Sequence, residues 1–300
     1  MFAELVATVA PIFVCVGIGI YWGRSGLPYP SDFITRIVMN IGAPCLVVSV
    51  LGKAEVSLNL LGTVSTAALS VFAVSAVILG IILALCKYKV NHLLPPLLFG
   101  NNGNMGLPIA LFAFGQDGLA LALCYFWTLA MINFTFGISM LTWGGNPLQS
   151  VKNMFKQPLV YCSLVVLFLF ATDSTLPLWL QNTVDLLAGM TIPLMLITLG
   201  VSLAQLNVED FKASLFLAFL RLFVGFTIGY SIADYLELEG ILKGVVILQA
   251  SMPAAVSNYL LALKYTENPG KVAGTVVIST TVSLISLPYL VSFVMAQAGG

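Results

Sequence analysis

Charge is scarce in this chain. Twelve Lys and Arg and twelve Asp and Glu make up 8% of its 300 residues, against about 25% in soluble domains. So few charged side chains cannot cover the surface of a water-soluble globule, and an integral membrane protein is expected. The formal net charge is zero, so there is no basic field and no nucleic-acid partner is expected. The single histidine, His92, stands beside Lys87 and Lys89 and reads as a solvated loop residue. Five cysteines (Cys15, Cys45, Cys86, Cys124, Cys162) fall in or at the ends of apolar segments. They lack metal-ligand spacing and read as small packing residues. With no visible nucleophile–base pair or metal cluster, neither an enzyme nor a cofactor is expected. The N-terminus, Met-Phe-Ala-Glu, lacks the basic region and cleavage site of a signal peptide, so residues 4–22 read as a retained span.

Apolar sequence is abundant instead: 59% of residues are hydrophobic and the mean hydropathy is +1.03. Apolar runs of about 20 residues mean membrane-spanning helices, whereas a barrel would show short alternating segments. Hydropathy and helix breakers predict ten spans in the bilayer: 4–22, 33–51, 61–86, 96–115, 118–142, 158–172, 182–204, 213–235, 241–263 and 272–296. The longest polar link, 143–157, divides the chain into halves of five spans, 1–142 and 158–300. Arg24, Arg36, Lys87, Lys89, Lys152, Lys156, Lys212, Lys264 and Lys271 fall on one side, and only Lys53 and Lys243 on the other. This bias predicts a multi-pass inner (plasma) membrane protein with a cytoplasmic middle linker and both termini outside.

With an odd number of spans per half, the second half is inverted relative to the first. Ile-Gly-Ala-Pro-Cys-Leu-Val-Val-Ser at 41–49 resembles Met-Thr-Ile-Pro-Leu-Met-Leu-Ile-Thr at 190–198, each in the second span of its half. The fourth span is interrupted by Gly100, Asn101, Asn102, Gly103, Asn104 and Pro108, and the ninth by Gln249, Ser251, Pro253 and Asn258. Glycine and proline are poor in helix interiors. Irregular backbone at membrane depth survives only where protein or a cavity surrounds it. Pro44 to Gly100 is 56 residues (100 − 44) and Pro193 to Pro253 is 60 (253 − 193). Paired interrupted helices in inverted repeats are a mark of secondary transporters, with the site near the midplane.

The run Gly100-Asn-Asn-Gly-Asn-Met-Gly-Leu-Pro108, the stretch from Gln249 to Tyr265, and Ser279-Thr-Thr-Val-Ser-Leu-Ile-Ser-Leu-Pro288 resemble the fourth-, ninth- and last-span patterns of the auxin efflux carrier family. The resemblance covers the whole chain and is to bacterial members related to the plant PIN auxin transporters. It implies an all-α membrane fold of two inverted five-helix repeats with a scaffold and a transport domain. In it the broken fourth and ninth helices cross, as in sodium/proton antiporters and bile acid symporters. It also implies carriage of small organic anions such as auxin-like or dicarboxylic acids. Gly100 and Asn102 depart from the plant pattern, where a proline and a threonine are typical, and the linker is far shorter than the plant loop.

Broken helices expose backbone N–H groups at the start of the second arm, where the helix dipole is positive. Two such ends can hold an anion without lysine or arginine, and neither interrupted segment contains a basic or acidic residue. Asn101, Asn102, Asn104, Gln249, Ser251 and Asn258 are the candidate binding residues. Gly100, Gly103, Pro108 and Pro253 are expected to enforce the break. Helix capping accounts equally for Asn101 and Asn102, and interhelical hydrogen bonding for Asn104, Asn258 and Gln249. Asp185 and Asp234 read as interfacial, Arg221 as structural, and the four tryptophans mostly as interfacial anchors. Asn133 stays open, because periodicity does not say which face it occupies. A sodium-coupled symporter of a neutral or amphipathic solute, with freed carbonyls holding the cation, and a ligand sensor are the competing readings. A homodimer is an open expectation.

Overall fold

A chain this apolar must satisfy its backbone hydrogen bonds internally, because lipid supplies none. The structure, a computed structural model, describes residues 2–53, 58–133, 157–172, 174–265 and 269–299. In chain order its helices are α1 (Phe2–Arg24), α2 (Ser31–Ile37), α3 (Ala43–Leu51), α4 (Leu58–Leu85), α5 (Val90–Leu98), α6 (Leu107–Ile132), α7 (Pro158–Thr172), α8 (Leu178–Gly189), α9 (Thr191–Gln205), α10 (Phe211–Tyr235), α11 (Gly240–Ala250), α12 (Val256–Tyr265) and α13 (Pro269–Ala298). Among the described residues, 7 helical stretches are long and apolar enough to cross a bilayer, and Val160–Leu169 and Gly240–Ala250 are shorter apolar helices. The protein is therefore an all-helical, multi-pass membrane protein. The linker residues 143–156, with Trp143, Lys152 and Lys156, lie outside the described residues.

Two π-helical turns, Val38–Gly42 and Asn102–Gly106, lead into α3 and α6. Each ends on the glycine of a Gly-x-Pro sequence, Gly42-Ala43-Pro44 and Gly106-Leu107-Pro108. Proline cannot donate to the carbonyl one turn back, and a wider turn passes the defect by shifting the bonding register. The Gly106 N–H accordingly donates to the Asn101 carbonyl at 3.1 Å. This corrects the expectation for two residues. Pro108 sits in the first turn of α6 and Gly103 inside the π turn, both within continuous helical backbone. The interruption itself is confined to Phe99–Asn101.

The arm before that interruption also starts earlier than hydropathy suggests. Helix α5 begins at Val90, so His92 occupies its half-buried first turn and not a loop. Hydropathy discounts this polar turn. At the other end Gly115, with φ 67° and ψ −155°, divides α6 into two helices. That backbone conformation strongly favours glycine, and Gly115 is the last residue of the fourth expected span.

Packing is set by small residues. Helix α1 runs along α9 and crosses it where Gly19 meets Gly200; a Cβ on Gly19 would strike the Ile197 carbonyl, and one on Gly200 the Val16 carbonyl. Such positions let helix backbones approach closely in lipid. Helix α3 packs against α7 and α8, while α4, α6, α10, α11 and α13 form a second set packed on one another. Trp22 and Trp179 are exposed, as interfacial anchors would be, whereas the Trp127 indole nitrogen is buried.

Candidate functional site

The two interrupted segments meet in space. Residues 99–101 connect α5 to the π turn, and residues 251–255, with Pro253 at their middle, connect α11 to α12. Gly100 and Ala254 form an antiparallel bridge. The Asn101 N–H donates to the Pro253 carbonyl at 2.7 Å, and the Ala255 N–H to the Phe99 carbonyl at 3.3 Å. Two segments matched only by their positions in the sequence are thus hydrogen-bonded to each other.

Two side chains reinforce the bridge reciprocally. Asn102 Nδ2 donates to the Gln249 carbonyl at 2.7 Å and to Gln249 Oε1 at 2.9 Å. Asn258 Nδ2 donates to the Phe99 carbonyl at 2.7 Å and the Pro96 carbonyl at 3.3 Å. Each asparagine stands at the start of a second arm and satisfies carbonyls at the C-terminal end of the opposite first arm. Carbonyls in the last turn of a helix are not fully satisfied by that helix. Ser251 Oγ turns back on its own helix and donates to the Ile247 carbonyl at 2.6 Å.

Arg221 is the residue that sequence reasoning did not bring here. The interrupted segments hold no charge, yet α10 delivers a guanidinium to the crossing from the side. Its Nε donates to the Met252 carbonyl at 2.9 Å, Nη1 to those of Leu97 at 2.9 Å and Leu98 at 3.4 Å, and Nη2 to that of Ala250 at 3.3 Å. One planar fork therefore caps the C-terminal ends of both α5 and α11. Arg221 is 5% exposed, and among the described residues no carboxylate pairs with it. The sequence signal was its position in the middle of an apolar helix, where an arginine faces protein or a cavity. Which neighbour it faces was not legible.

A cavity of about 540 Å³ lies on the other side of the bridge. Gly100, Asn101, Asn102, Gly103 and Asn104 form one part of its wall and Ala255, Val256 and Ser257 another. Both second-arm N-termini thus border the same space. Phe126, Leu129, Tyr259 and Leu260 supply apolar and aromatic wall, and Ser31, Asp32, Gln157 and Gln205 line it at helix ends away from the crossing. Asn101 Nδ2 is buried and has no hydrogen-bond partner among the described residues, and the same holds for Asn133 Oδ1 on the same wall. Of the candidate residues, Asn101, Asn102 and Asn104 border the cavity. Gln249, Ser251 and Asn258 are buried behind it in the packing.

Asp32 lines the cavity as an exposed residue at the start of α2, and the ion-paired carboxylates lie apart from it. Asp185 accepts from Ser49 Oγ at 2.5 Å, Lys53 Nζ at 2.6 Å and Gln181 Nε2 at 2.8 Å. Asp234 pairs with Lys243 at 3.1 Å. Neither lines the cavity.

Against known proteins, residues 4–291 match the family model described as membrane transport protein. An uncharacterized transporter of Methanocaldococcus jannaschii is 26% identical over 213 residues, covering 66% of each chain. An uncharacterized transporter of Methanothermobacter thermautotrophicus is 26% identical over 298 residues, covering 94% of this chain and 95% of its own.

Proposed function

Because this chain belongs to the membrane transport protein family, that of the auxin efflux carriers, we propose that it is a secondary carrier of small organic anions, auxin-like or dicarboxylic, that works by alternating access. The substrate sits in the 540 Å³ cavity at the crossing. One observation carries the reading: two second-arm N-termini, Asn101–Asn104 and Ala255–Ser257, border one space with the first turns of their helices and the amides of Asn101, Asn102 and Asn104. Such ends carry partial positive charge and donors suited to a carboxylate, and the aromatic wall suits an apolar body. A site made of amides and dipoles binds without a fixed contact ion pair, so the anion can also leave.

Within this proposal the chain has ten spans in two inverted repeats, 1–142 and 158–300, joined by a cytoplasmic linker. The reciprocal roles of Asn102 and Asn258 support that symmetry, as does the packing of α1 on α9 beside α7 on α3. The wall residues Gln157 and Gln205 lie at helix ends that the charge bias assigns to the cytoplasmic side, which supports a cavity open to the cytoplasm. A sodium-coupled mechanism would need the freed carbonyls of Leu97, Leu98, Ala250 and Met252, and Arg221 engages all four. This favours the anion reading.

Flux into proteoliposomes tests it. A panel of radiolabelled carboxylates is expected to include at least one with saturable, self-competed uptake that Asn101→Ala weakens. Absence of saturable flux for every member, with either gradient direction, contradicts it.

A further inference from the structure

Gly100 is the thinnest part of the cavity wall. It borders the cavity on one side, and on the other a Cβ in its place would collide with Arg221 Nη2. The guanidinium therefore lies directly behind the floor of the site without lining it. Its three nitrogens make four hydrogen bonds to carbonyls, and no carboxylate pairs with it among the described residues.

The charges at the crossing then sum in a particular way. Each helix end carries roughly half an elementary charge. The C-terminal ends of α5 and α11 together contribute about −1, and the Arg221 guanidinium cancels this with its +1. The two N-terminal ends facing the cavity are left with about +1 between them, and the Asp32 carboxylate of the lining is exposed, so water screens it from the crossing. Without Arg221 the four ends would cancel at short range and the cavity would be nearly neutral. A buried charge at membrane depth is costly when uncompensated, so the crossing is relaxed by one negative charge arriving in the cavity.

We infer that Arg221 sets the valence of the bound molecule: it is a positioning residue that never touches the substrate but makes the cavity select singly charged anions over neutral or doubly charged ones. This rests on the reading of the cavity as an organic-anion site, and it narrows the substrate to monoanions with an apolar body.

The test uses the purified full chain and three probes of one shape class: benzoate (monoanion), benzamide (neutral) and phthalate (dianion at pH 7.5). Binding is measured by calorimetry, with the melting temperature recorded alongside. In the wild type, benzoate is expected to bind about tenfold or more tightly than either of the others. Arg221→Lys keeps the charge and loses the fork, and is expected to retain the benzoate preference. Arg221→Gln is expected to bind benzoate and benzamide alike. A purely structural Arg221 would instead lower affinity for all probes together and equally in both variants. If Arg221→Gln does not fold, the wild-type valence series and Arg221→Lys decide. Phthalate binding as tightly as benzoate in the wild type, or a folded Arg221→Lys without the preference, overturns the inference and leaves the anion site standing. Failure of all three probes to bind the wild type overturns the anion-site reading and this inference with it.

Discussion

Asn102 and Gln249 are bound twice over, through the Asn102 amide to both the main-chain and the side-chain oxygen of Gln249. Gln249 in turn donates from Nε2 to the Ala122 carbonyl at 3.4 Å. A cavity-wall residue is thereby tied through a fully buried glutamine to the body of α6. Asn102 is thus shared between fold and site, whereas Asn101 is not, and the two separate in the predictions.

Asn101→Ala removes a buried amide nitrogen that has no partner among the described residues. Its melting temperature is expected to stay near that of the wild type. Anion affinity is expected to fall by about tenfold, the worth of one hydrogen bond to a charged group. Thermal unfolding and a binding titration on the same sample check both halves.

Asn102→Ala leaves Gln249 Oε1 without its donor and the Gln249 carbonyl with only the longer Met252 bond, and Asn258→Ala removes the donor to the Pro96 carbonyl and the shorter of two bonds to the Phe99 carbonyl. Each is expected to cost about 1–3 kcal/mol of stability, the penalty of leaving buried polar groups unpaired. The same thermal unfolding measurement should rank both variants clearly below Asn101→Ala.

Ser251→Ala deletes only a bond from Oγ to its own helix, which in serine competes weakly with the backbone ladder. Stability within roughly 0.5 kcal/mol of the wild type and unchanged anion affinity are expected. A tenfold affinity loss would show that Ser251 reaches the ligand in some other state.

Gly19→Ala and Gly17→Ala form a matched pair on α1. A Cβ at Gly19 strikes the α9 backbone, while at Gly17 nothing lies within 4 Å. Gly17→Ala is expected to be neutral or stabilising by up to about 1 kcal/mol, from helix propensity. Gly19→Ala is expected to destabilise by about 1–3 kcal/mol, as overpacking does. Melting in a fixed detergent reads both.

Asp185→Ala removes an acceptor shared by Ser49, Lys53 and Gln181, whereas Asp234→Ala breaks one ion pair whose carboxylate is 63% exposed. The first is expected to lower the melting temperature visibly. The second should change stability by at most about 1 kcal/mol, as exposed pairs do.

Some of this arrangement could be read before any coordinates, and the reason is locality. Glycine, asparagine and proline mark an interrupted helix wherever it ends up, so both interruptions and their correspondence were visible in the residues themselves. The Gly115 boundary was visible for the same reason. The π turns were not: glycine and asparagine at 102–106 read as part of the break, and neither 38–42 nor 102–106 shows that the helix continues with a wider turn ahead of a proline two positions further on. Arg221 was hidden for a different reason. In a helix apolar all round, periodicity gives no face, and only tertiary packing decides that α10 turns its arginine toward the crossing. Asn133 was undecidable on the same ground until the cavity wall placed it.

The Gly100–Ala254 bridge also bears on how the protein is made. Its partners are 154 positions apart (254 − 100), so the nascent chain delivers the first interruption long before the second exists. Until α10 and α12 have entered the bilayer, the Leu97, Leu98 and Phe99 carbonyls lack Arg221 and Asn258 as their donors. The first half cannot mature in isolation, and the anion cavity comes into being only when the last third of the chain has been synthesised and threaded back against it.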